Sequence, residues 1–302
     1  MDDNDWLATR FEASRPRLRA VAYRILGSAT ETEDALQEAW IHAAGGQPGE
    51  VANLDGWFTT IVARVCLDML RSRKARREQP LGADTVGGDG DRGGWDGEVL
   101  AALEAGPEQE AVLADSVGLA LLVVLDTLGP AERVAFVLHD MFGLPFEDIG
   151  AVTGRSSSAA RQLASRARRR VQGAPVIPEA QLARRREVAA AFLAASRGGD
   201  MAGLLALLDP DVVLYADATA APRGTPLTLR GATAVIGGAR AASARAVHSN
   251  LALVNGTPGI VFAPLGKLEL VLSLTIEEDK ITRIDVIADP ARLDELDLAL
   301  LS

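Results

Sequence analysis

The chain has 302 residues, 48% of them hydrophobic, and a formal net charge of −10, so it is long enough for two or three domains with cores of their own. Its single cysteine, Cys66, excludes an internal disulfide and a cysteine-based zinc cluster, and we expect a buried thiol there. The acidic, polar first residues are unlike a signal peptide, and no apolar run approaches the length of a membrane span. We therefore expect a cytoplasmic protein that makes no contact with membranes.

The negative charge is concentrated in one segment. Residues 78–110 carry nine acids and a single base, Arg92, whereas residues 1–77 are neutral overall. The bases gather in two patches, at 64–77 and 155–170. Phosphate binding depends on such local clusters, but a chain of net negative charge associates poorly with free DNA. A role on DNA would therefore need a second partner that brings the chain there.

Three helices are predicted first in the chain. They run from about Phe11 to Leu26, over residues 30–44, and from about Asp55 to Arg77. A capping box formed by Thr30 and Glu33 opens the second of them. In each helix the apolar residues recur at spacings of three and four, so each has one inward face.

The second helix has a carboxylate-rich outer face. Asp34, Gln37 and Glu38 lie on it, with Trp40 beside them as an exposed aromatic residue. Such a face suits docking on a basic partner helix. The alternative is that acids near the start of a helix simply favour the helix dipole.

The third helix has a basic outer side. Arg64, Arg71 and Arg76 lie opposite its apolar stripe, and Trp57 stands at its head. Phosphate contacts and stacking by these side chains could hold single-stranded DNA. Trp57 could equally belong to the core. Between Pro80 and Pro107 the composition then changes to little besides glycine and aspartate, which predicts a flexible acidic connector.

A helix-turn-helix is predicted between Pro145 and Val171. Gly154 lies where the chain must turn sharply, and Ser156 is suited to cap the second helix. His139, near the end of the preceding helix, is expected to favour the helix dipole rather than to bind a metal, because no second His or Cys stands near it.

The second helix of this motif has an outer face that can reach base edges and phosphates. Ser158, Arg161, Gln162, Ser165 and Arg169 lie there, opposite an apolar stripe. The segment 155–171 contains six arginines and no acid. An ordinary solvated hairpin with a basic end is the alternative, but solvated faces usually mix both signs of charge.

Residues 174–302 predict an α+β unit. Helices are expected over 181–197, after a cap at Asp200, and over 229–242, with a strand at 209–217 before the last of these. Three extended runs follow, and a hairpin turns at 277–280. The prediction is helices packed on a curved antiparallel sheet.

This third unit contains the side chains that could perform acid–base chemistry. The candidates are Asp217, His248 and Asp285, with Tyr215 nearby in sequence. No pair has a telling spacing, and Asp217 serves equally well as a turn residue. The two alternatives to an enzyme are an apolar pocket for an unknown small ligand, and a regulatory domain that biases the arrangement of the helical modules.

The first 173 residues resemble the extracytoplasmic-function (ECF) group of bacterial sigma factors. The segments that carry the resemblance are EDALQEAW at 33–40, DGWFTTIVARVCLDMLRSRKARR at 55–77, LGPAERVAFVLHDMFGLPFEDIGAVTG at 128–154 and RSSSAARQLASRARRRV at 155–171. In order, they are similar to the acidic helix of sigma region 2, the segment that melts and reads the −10 element, the first part of region 4, and its −35-reading helix. Residues 174–302 resemble the SnoaL-like, nuclear-transport-factor-2-like cone fold, which sigma factors of the sigma-I and sigma-J type carry after region 4.

The resemblance implies promoter recognition as a subunit of RNA polymerase, with no catalysis, metal or cofactor in this chain. It implies sigma region 2 at 1–77, an acidic linker at 78–110, region 4 at 111–173 and a SnoaL-like regulatory domain at 174–302. The implied partners are promoter DNA and core polymerase, through the clamp helices of its largest subunit and the flap of its second-largest. The implied core-binding residues are Asp34, Gln37, Glu38 and Trp40. The implied −10 residues are Trp57, Arg64, Arg71, Arg73, Lys74, Arg76 and Arg77. The implied −35 residues are Arg155, Ser156, Ser157, Ser158, Arg161, Gln162, Ser165, Arg166 and Arg169.

A second class of function stays open beside the sigma factor. It is a ligand-sensing helix-turn-helix regulator that does not depend on core polymerase, in which residues 1–77 merely fold on the rest. The acidic face of the second helix and the second basic patch favour the sigma factor.

Overall fold

The computed structural model describes residues 3–46, 53–78, 118–264 and 267–301, which form two compact units. The first unit contains the described residues up to 78 together with 125–169. The second contains 118–124 and the described residues from 170 onward. The predicted linker beyond Glu78 lies outside the described residues, as does the side chain of Arg77.

The first unit opens with three long helices. They are α1 (Asp3–Leu26), α2 (Ala29–Gly45) and α3 (Leu54–Glu78). Their apolar stripes pack together, as periodicity predicted. Among the fully buried side chains there are Leu18, Ile25, Leu36, Phe58 and Leu67. The thiol of Cys66 is buried in the same core, which confirms that prediction, and desolvation raises its pKa.

Two boundary predictions for these helices are wrong. The first helix begins at Asp3 rather than near Phe11, because Leu7 already continues the buried stripe. The second is capped by Ser28, whose Oγ accepts the N–H of Glu31 at 3.4 Å, and not by the predicted box two residues later. Thr30 and Glu33, the predicted box, therefore lie within α2.

Shorter helices complete the first unit. They are α4 (Leu119–Asp126), of which only the last residues belong to this unit, α5 (Pro130–Phe136), a π-helical turn (Val137–Met141), α6 (Phe146–Thr153) and α7 (Ser157–Gln172). Pro130 opens α5, where its missing N–H costs nothing. The all-α prediction for this part of the chain is confirmed.

The second unit is α+β, as predicted, with helices that precede and flank a seven-stranded sheet. The helices are α8 (Glu179–Gly198), α9 (Met201–Leu207), α10 (Ala232–Ala246) and α11 (Pro290–Asp294). The strands are β1 (Leu208–Ala216), β2 (Leu227–Arg230), β3 (Ser249–Val254), β4 (Thr257–Phe262), β5 (Leu270–Glu277), β6 (Lys280–Ile287) and β7 (Leu298–Ala299). Asp200 caps α9 as predicted, since its Oδ1 accepts the N–H of Gly203 at 2.9 Å.

The sheet is mixed rather than antiparallel, so that part of the prediction is wrong. Its strand order is β2-β1-β6-β5-β4-β3-β7, and β1 pairs with β6 in parallel. The reason is a long-range pairing. Strands β3 to β6 pair antiparallel in succession after helix α10, and the last of them, β6, then lies beside β1 in the same direction. The start of the predicted helix at 229–242 is also wrong, because Leu229 and Arg230 belong to β2 and Gly231, at φ +84°, separates them from α10.

Helices cover one face of this sheet. Val188 and Phe192 of α8, Leu204 of α9 and Val235 of α10 pack with strand residues such as Ile284. On the opposite face Val254, Val261 and Val271 pack with Val123 of α4 and with Leu293 and Leu298 near the C-terminus. The predicted hairpin at 277–280 is confirmed, with Glu278 and Asp279 at φ +46° and +65° in its turn.

Candidate nucleic-acid interface

The helix-turn-helix is built as the sequence predicts. Gly154 takes φ +68° at the end of α6, and the N–H of Arg155 donates to the carbonyl of Gly150 at 2.9 Å. Ser156 caps α7 by accepting the N–H of Ala159 at 3.2 Å. Gly150 was missed by sequence reasoning: a Cβ there would come within 2.7 Å of the Arg155 carbonyl oxygen. The four-residue spacing of the two glycines was the available signal.

Helix α7 separates an apolar from a polar face. Ala160, Leu163, Ala167 and Val171 are buried, as predicted. The predicted −35 residues are all exposed: Arg155, Ser156, Ser157, Ser158, Arg161, Gln162, Ser165, Arg166 and Arg169. This leaves a row of hydroxyl, amide and guanidinium groups facing solvent.

The arginines of α7 differ in what holds them. The guanidinium of Arg161 lies 5.1 Å from the centre of the Phe146 ring, which orients it at the start of the exposed face. Arg166 pairs with Glu132 at 2.9 Å, and Arg168, outside the predicted set, donates to Asp140 at 2.8 Å. Two of these arginines therefore join α7 to α5 and to the π-helical turn, both of which precede the helix-turn-helix.

His139 lies in the π-helical turn next to this motif. Its Nδ1 is 3.1 Å from the carbonyl oxygen of Leu144, and its ring stacks on Phe146 with centroids 4.0 Å apart. These contacts fix the loop that leads into α6. In the described part of the chain, His, Cys, Asp and Glu side chains form no group of three or more that could hold a metal ion.

The basic residues of α3 fall into two sets. Arg64, Arg71, Lys74 and Arg76 are exposed, and Arg64 also donates to the carbonyl of Ala151 at 3.1 Å. Arg73 is half-buried, with an ion pair to Glu31 and hydrogen bonds to the carbonyl of Leu26 at the end of α1. The sequence did not distinguish Arg73 from its neighbours, because its partners lie more than forty residues away.

Trp57, at the head of α3, is half-buried. Its ring centre is 5.3 Å from that of Phe58 at an angle of 45°. It is neither a core residue nor a fully free stacking platform.

The acidic face of α2 is exposed at Asp34, Gln37 and Glu38. Trp40 is only partly exposed, because its ring packs 5.3 Å from that of Phe11. Ile41 was missed, although 69% of it is exposed and it follows Gln37 by one helical turn. A groove of about 230 Å³ between α1 and α2 runs beside this face and is lined by Ala8, Phe11, Glu12, Arg15, Leu36, Gln37 and Trp40.

The candidate acid–base residues of the second unit do not form a catalytic group. Asp217 is buried and accepts four hydrogen bonds, from the backbone N–H groups of Ala220, Ala288 and Asp289 and from Arg292. Burial alone would raise the pKa of its carboxyl, but these backbone donors and the Arg292 charge more than offset burial and hold that pKa below its ordinary value. Asp217 therefore serves as a structural carboxylate that joins the loop after β1 to the start of α11.

The other three candidates are separated or already paired. Tyr215 and Asp285 are register partners on β1 and β6, but the carboxylate of Asp285 already accepts hydrogen bonds from Nη2 and Nε of Arg283, at 2.6 and 2.7 Å. His248 precedes β3, four strand positions from β1, or roughly 19 Å across the sheet. The geometry gives no nucleophile–base pair among the four.

Sequence comparisons agree with this arrangement. The family model for sigma-70 region 2 matches residues 10–76, and that for sigma-70 region 4 matches residues 118–171. Two sigma regions in this order define a sigma factor. The chain is 34% identical to the probable ECF RNA polymerase sigma factor SigI of Mycobacterium tuberculosis over 98% of both chains, and 35% identical to SigJ of the same organism over 93% of this chain and 91% of SigJ. The chain belongs to the ECF RNA polymerase sigma factor family.

The crystal structure of SigJ from M. tuberculosis is similar at 31% identity, with a TM-score of 0.40 over 94% of this chain and 97% of that one.

The family models and the two sequence relatives confirm the predicted family, and they do not support the polymerase-independent regulator. None of the helices in the described parts of the chain has the length and apolar character of a membrane span.

Proposed function

We propose that this chain directs core RNA polymerase to promoters, with residues 1–77 and 111–173 acting as sigma regions 2 and 4, joined by an acidic linker at 78–110. The single observation that carries the proposal is the pair of exposed surfaces in the first unit: an acidic face on α2 and a basic, hydroxyl-rich face on α7. A DNA-binding face alone would fit any helix-turn-helix regulator. The acidic face needs a basic protein partner as well.

The −35 element is read by α7. Its exposed face combines two groups capable of bidentate hydrogen bonding, the Arg161 guanidinium and the Gln162 amide, with hydroxyls that accept or donate, which suits base edges in a major groove. Arg155 and Arg169 lie near the two ends of the helix, where phosphate contacts would fix its register. Arg166 is shared with Glu132 and contributes less.

The −10 element is read by the exposed side of α3. Arg71, Lys74 and Arg76 supply phosphate contacts, and Trp57 supplies a partly exposed ring at the head of the helix. Arg77 belongs to this set on the resemblance alone. Arg73 acts on DNA only indirectly, since its ion pair with Glu31 holds α3 against the start of α2.

Core polymerase binds at α2, through the clamp helices of its largest subunit, while region 4 meets the flap of the second-largest subunit. Asp34 and Glu38 supply negative charge, and Gln37 supplies a hydrogen-bonding group. Trp40, which lines the groove between α1 and α2, supplies an apolar contact. The net negative charge of the chain fits a requirement for polymerase in DNA binding. It disfavours binding of the chain to DNA until polymerase carries the chain there.

The second unit is regulatory rather than enzymatic and uses no cofactor. The candidate acid–base groups are held in structural contacts, with Asp217 clasping the start of α11 and Asp285 bound to Arg283. A small ligand is the second candidate for this unit. A cleft of about 740 Å³ beside α10, lined by Leu205, Leu208, Arg230 and Lys280 among others, is where it would bind.

Pull-down of purified core polymerase tests the proposal. A double variant, Asp34→Lys with Glu38→Lys, should lose binding and run-off transcription from a genomic promoter pool. The matched control is Asp211→Lys with Glu277→Lys, which reverses two exposed acids of the second unit and should bind like the wild type. Wild-type protein that binds no cognate core and supports no promoter-dependent synthesis would overturn the proposal.

A further inference from the structure

The side chain of Phe146, the first residue of α6, contacts residues from two other elements. Its ring stacks on the imidazole of His139 in the π-helical turn, with centroids 4.0 Å apart and planes at 30°. The guanidinium carbon of Arg161, on α7, lies over the same ring at 5.1 Å from its centre. One aromatic side chain therefore joins the turn before the helix-turn-helix to the exposed face of α7.

The position of this ring is fixed by the loop that leads into α6. Phe146 is partly buried, and Nδ1 of His139 lies 3.1 Å from the carbonyl oxygen of Leu144. Leu144 also donates its N–H to the carbonyl of Leu138 at 2.9 Å. Because the stacked ring has few rotamers open to it, a cation that lies over the ring is confined as well.

Arg161 differs in this contact from two other arginines of α7. Arg166 pairs with the carboxylate of Glu132. Arg168 pairs with that of Asp140. Among the residues that the structure describes, no carboxylate pairs with Arg161, and its recorded contact is the one with Phe146. A cation–π contact engages the charge of the guanidinium and leaves its N–H donors unused. Arg161 is therefore oriented and keeps its full set of donors for DNA.

Orientation matters for an arginine that reads a base. The guanidinium is a planar fork, and its commonest specific contact is bidentate, with O6 and N7 of a guanine in the major groove. Both hydrogen bonds form only when the fork is aligned with the edge of the base, whereas a phosphate contact carries no such sequence information. A freely rotating arginine loses rotamer freedom when it makes the bidentate contact. A ring that already confines the side chain reduces that loss.

We propose that Phe146 is a positioning residue for −35 recognition, and that its ring holds the Arg161 guanidinium in the orientation from which it reads a guanine. The inference rests on the proposed function, since it takes α7 as the −35-reading helix. Phe146 acts through Arg161 and not by touching a base. Its loss therefore changes base discrimination at one position of the −35 element rather than affinity for DNA in general.

Substitutions at two phenylalanines separate the effect of the ring from that of its bulk. Phe146→Leu keeps an apolar side chain and removes the ring, whereas Phe146→Tyr keeps the ring. Phe142→Leu is the matched control, because the Phe142 ring lies 5.4 Å from the guanidinium carbon of Arg24 in α1. Thermal unfolding of each full-length protein checks the fold, and Phe146→Met replaces Phe146→Leu if the latter does not fold.

Holoenzymes made from core polymerase and each full-length variant are compared on promoters changed at single −35 positions. Phe146→Leu should lower discrimination about two- to fivefold at the guanine where Arg161→Ala lowers it, while Phe146→Tyr and Phe142→Leu should discriminate like the wild type. In the Arg161→Ala background, Phe146→Leu should have no further effect. Replacing that guanine by 7-deazaguanine, which lacks the N7 acceptor, should weaken binding by the wild type and by Phe146→Tyr but not by Arg161→Ala.

The inference is overturned by an equal loss in Phe146→Leu on every promoter, by a loss that persists in the Arg161→Ala background, or by unchanged discrimination. Nuclear magnetic resonance of the free full-length chain, isotope-labelled at the arginine nitrogens, adds a readout that needs no polymerase. The Nε–H signal of Arg161 should carry a ring-current shift that Phe146→Leu removes, and identical signals in the two proteins would also overturn the inference. Failure of every form to bind core would instead count against the proposed function, while this signal would still decide whether Phe146 holds Arg161.

Discussion

The backbone N–H of Leu300 donates to the carbonyl oxygen of Val171 at 2.9 Å, so the end of the chain satisfies one of the last carbonyls of α7. Such carbonyls have no partner within their own helix. Gly173 follows at φ +63°, and a Cβ there would come within 2.4 Å of the Ala299 Cβ. The end of the predicted −35 helix is therefore shaped by residues more than a hundred positions later.

Gly173→Ala should destabilise the second unit by about 2–4 kcal/mol, because it adds a side-chain clash to the cost of a left-handed backbone. Gly199→Ala is the matched control: Gly199 has φ +65° at the end of α8, with nothing within 4 Å of an added Cβ. It should cost only about 1 kcal/mol. Urea unfolding followed by circular dichroism measures both, and equal losses would show that the contact with Ala299 carries no energy.

Asp217→Asn should destabilise the second unit by about 2–4 kcal/mol at pH 7, because the neutral amide cannot match four donors as the carboxylate does. The pKa of this carboxyl is held below its ordinary value in the folded state. Its contribution is therefore fully present above the ordinary carboxyl pKa and lost as pH falls through the lowered value. Unfolding free energies measured from pH 7 down to pH 3 should show the wild-type advantage shrinking only at the acidic end. An advantage that declines already between pH 7 and pH 5 would contradict this role.

Arg161→Ala should weaken binding to the cognate −35 sequence by about 1–3 kcal/mol and relax base preference there. Measurement uses the polymerase holoenzyme and a set of promoters varied at single −35 positions. Arg184→Ala, which removes an exposed arginine of α8, serves as the control and should change nothing. An equal loss on every promoter would make Arg161 a phosphate contact without a part in base recognition.

Ile41→Ala should weaken core binding by about 1–2 kcal/mol while leaving the stability of the first unit unchanged, because the side chain is largely exposed in the free protein. Val247→Ala makes the same kind of change at an exposed position of the second unit. A titration of labelled protein with core polymerase compares the two. If both variants bind core like the wild type, the contact surface on α2 does not include Ile41.

Local sequence patterns were sufficient for most of the elements. The three- and four-residue spacing in α7 placed its buried and exposed faces correctly, and Gly154 and Ser156 marked its start. The alternation across residues 277–280 located the β5–β6 hairpin. These features depend on neighbours in the chain, which a single sequence contains.

Pairing between distant segments does not follow from local sequence patterns. The ion pair that removes Arg73 from the exposed basic set, the clasp around Asp217 and the parallel partnership of β1 with β6 each join residues far apart in the chain. Each of these three contacts forms only because the folded chain brings its two partners together. The type of one residue does not indicate which distant residue it will contact.

By itself, the sequence determined that this protein has two helical modules, the second with a helix-turn-helix, and a later α+β unit, because helix periodicity, turn glycines and charge clusters are local properties. Only the tertiary structure decided that regions 2 and 4 lie against each other with Arg133 buried between them. The physical reason is that the free-energy cost of burying a charged group depends on how much hydration the group loses. Only the packed chain determines that loss.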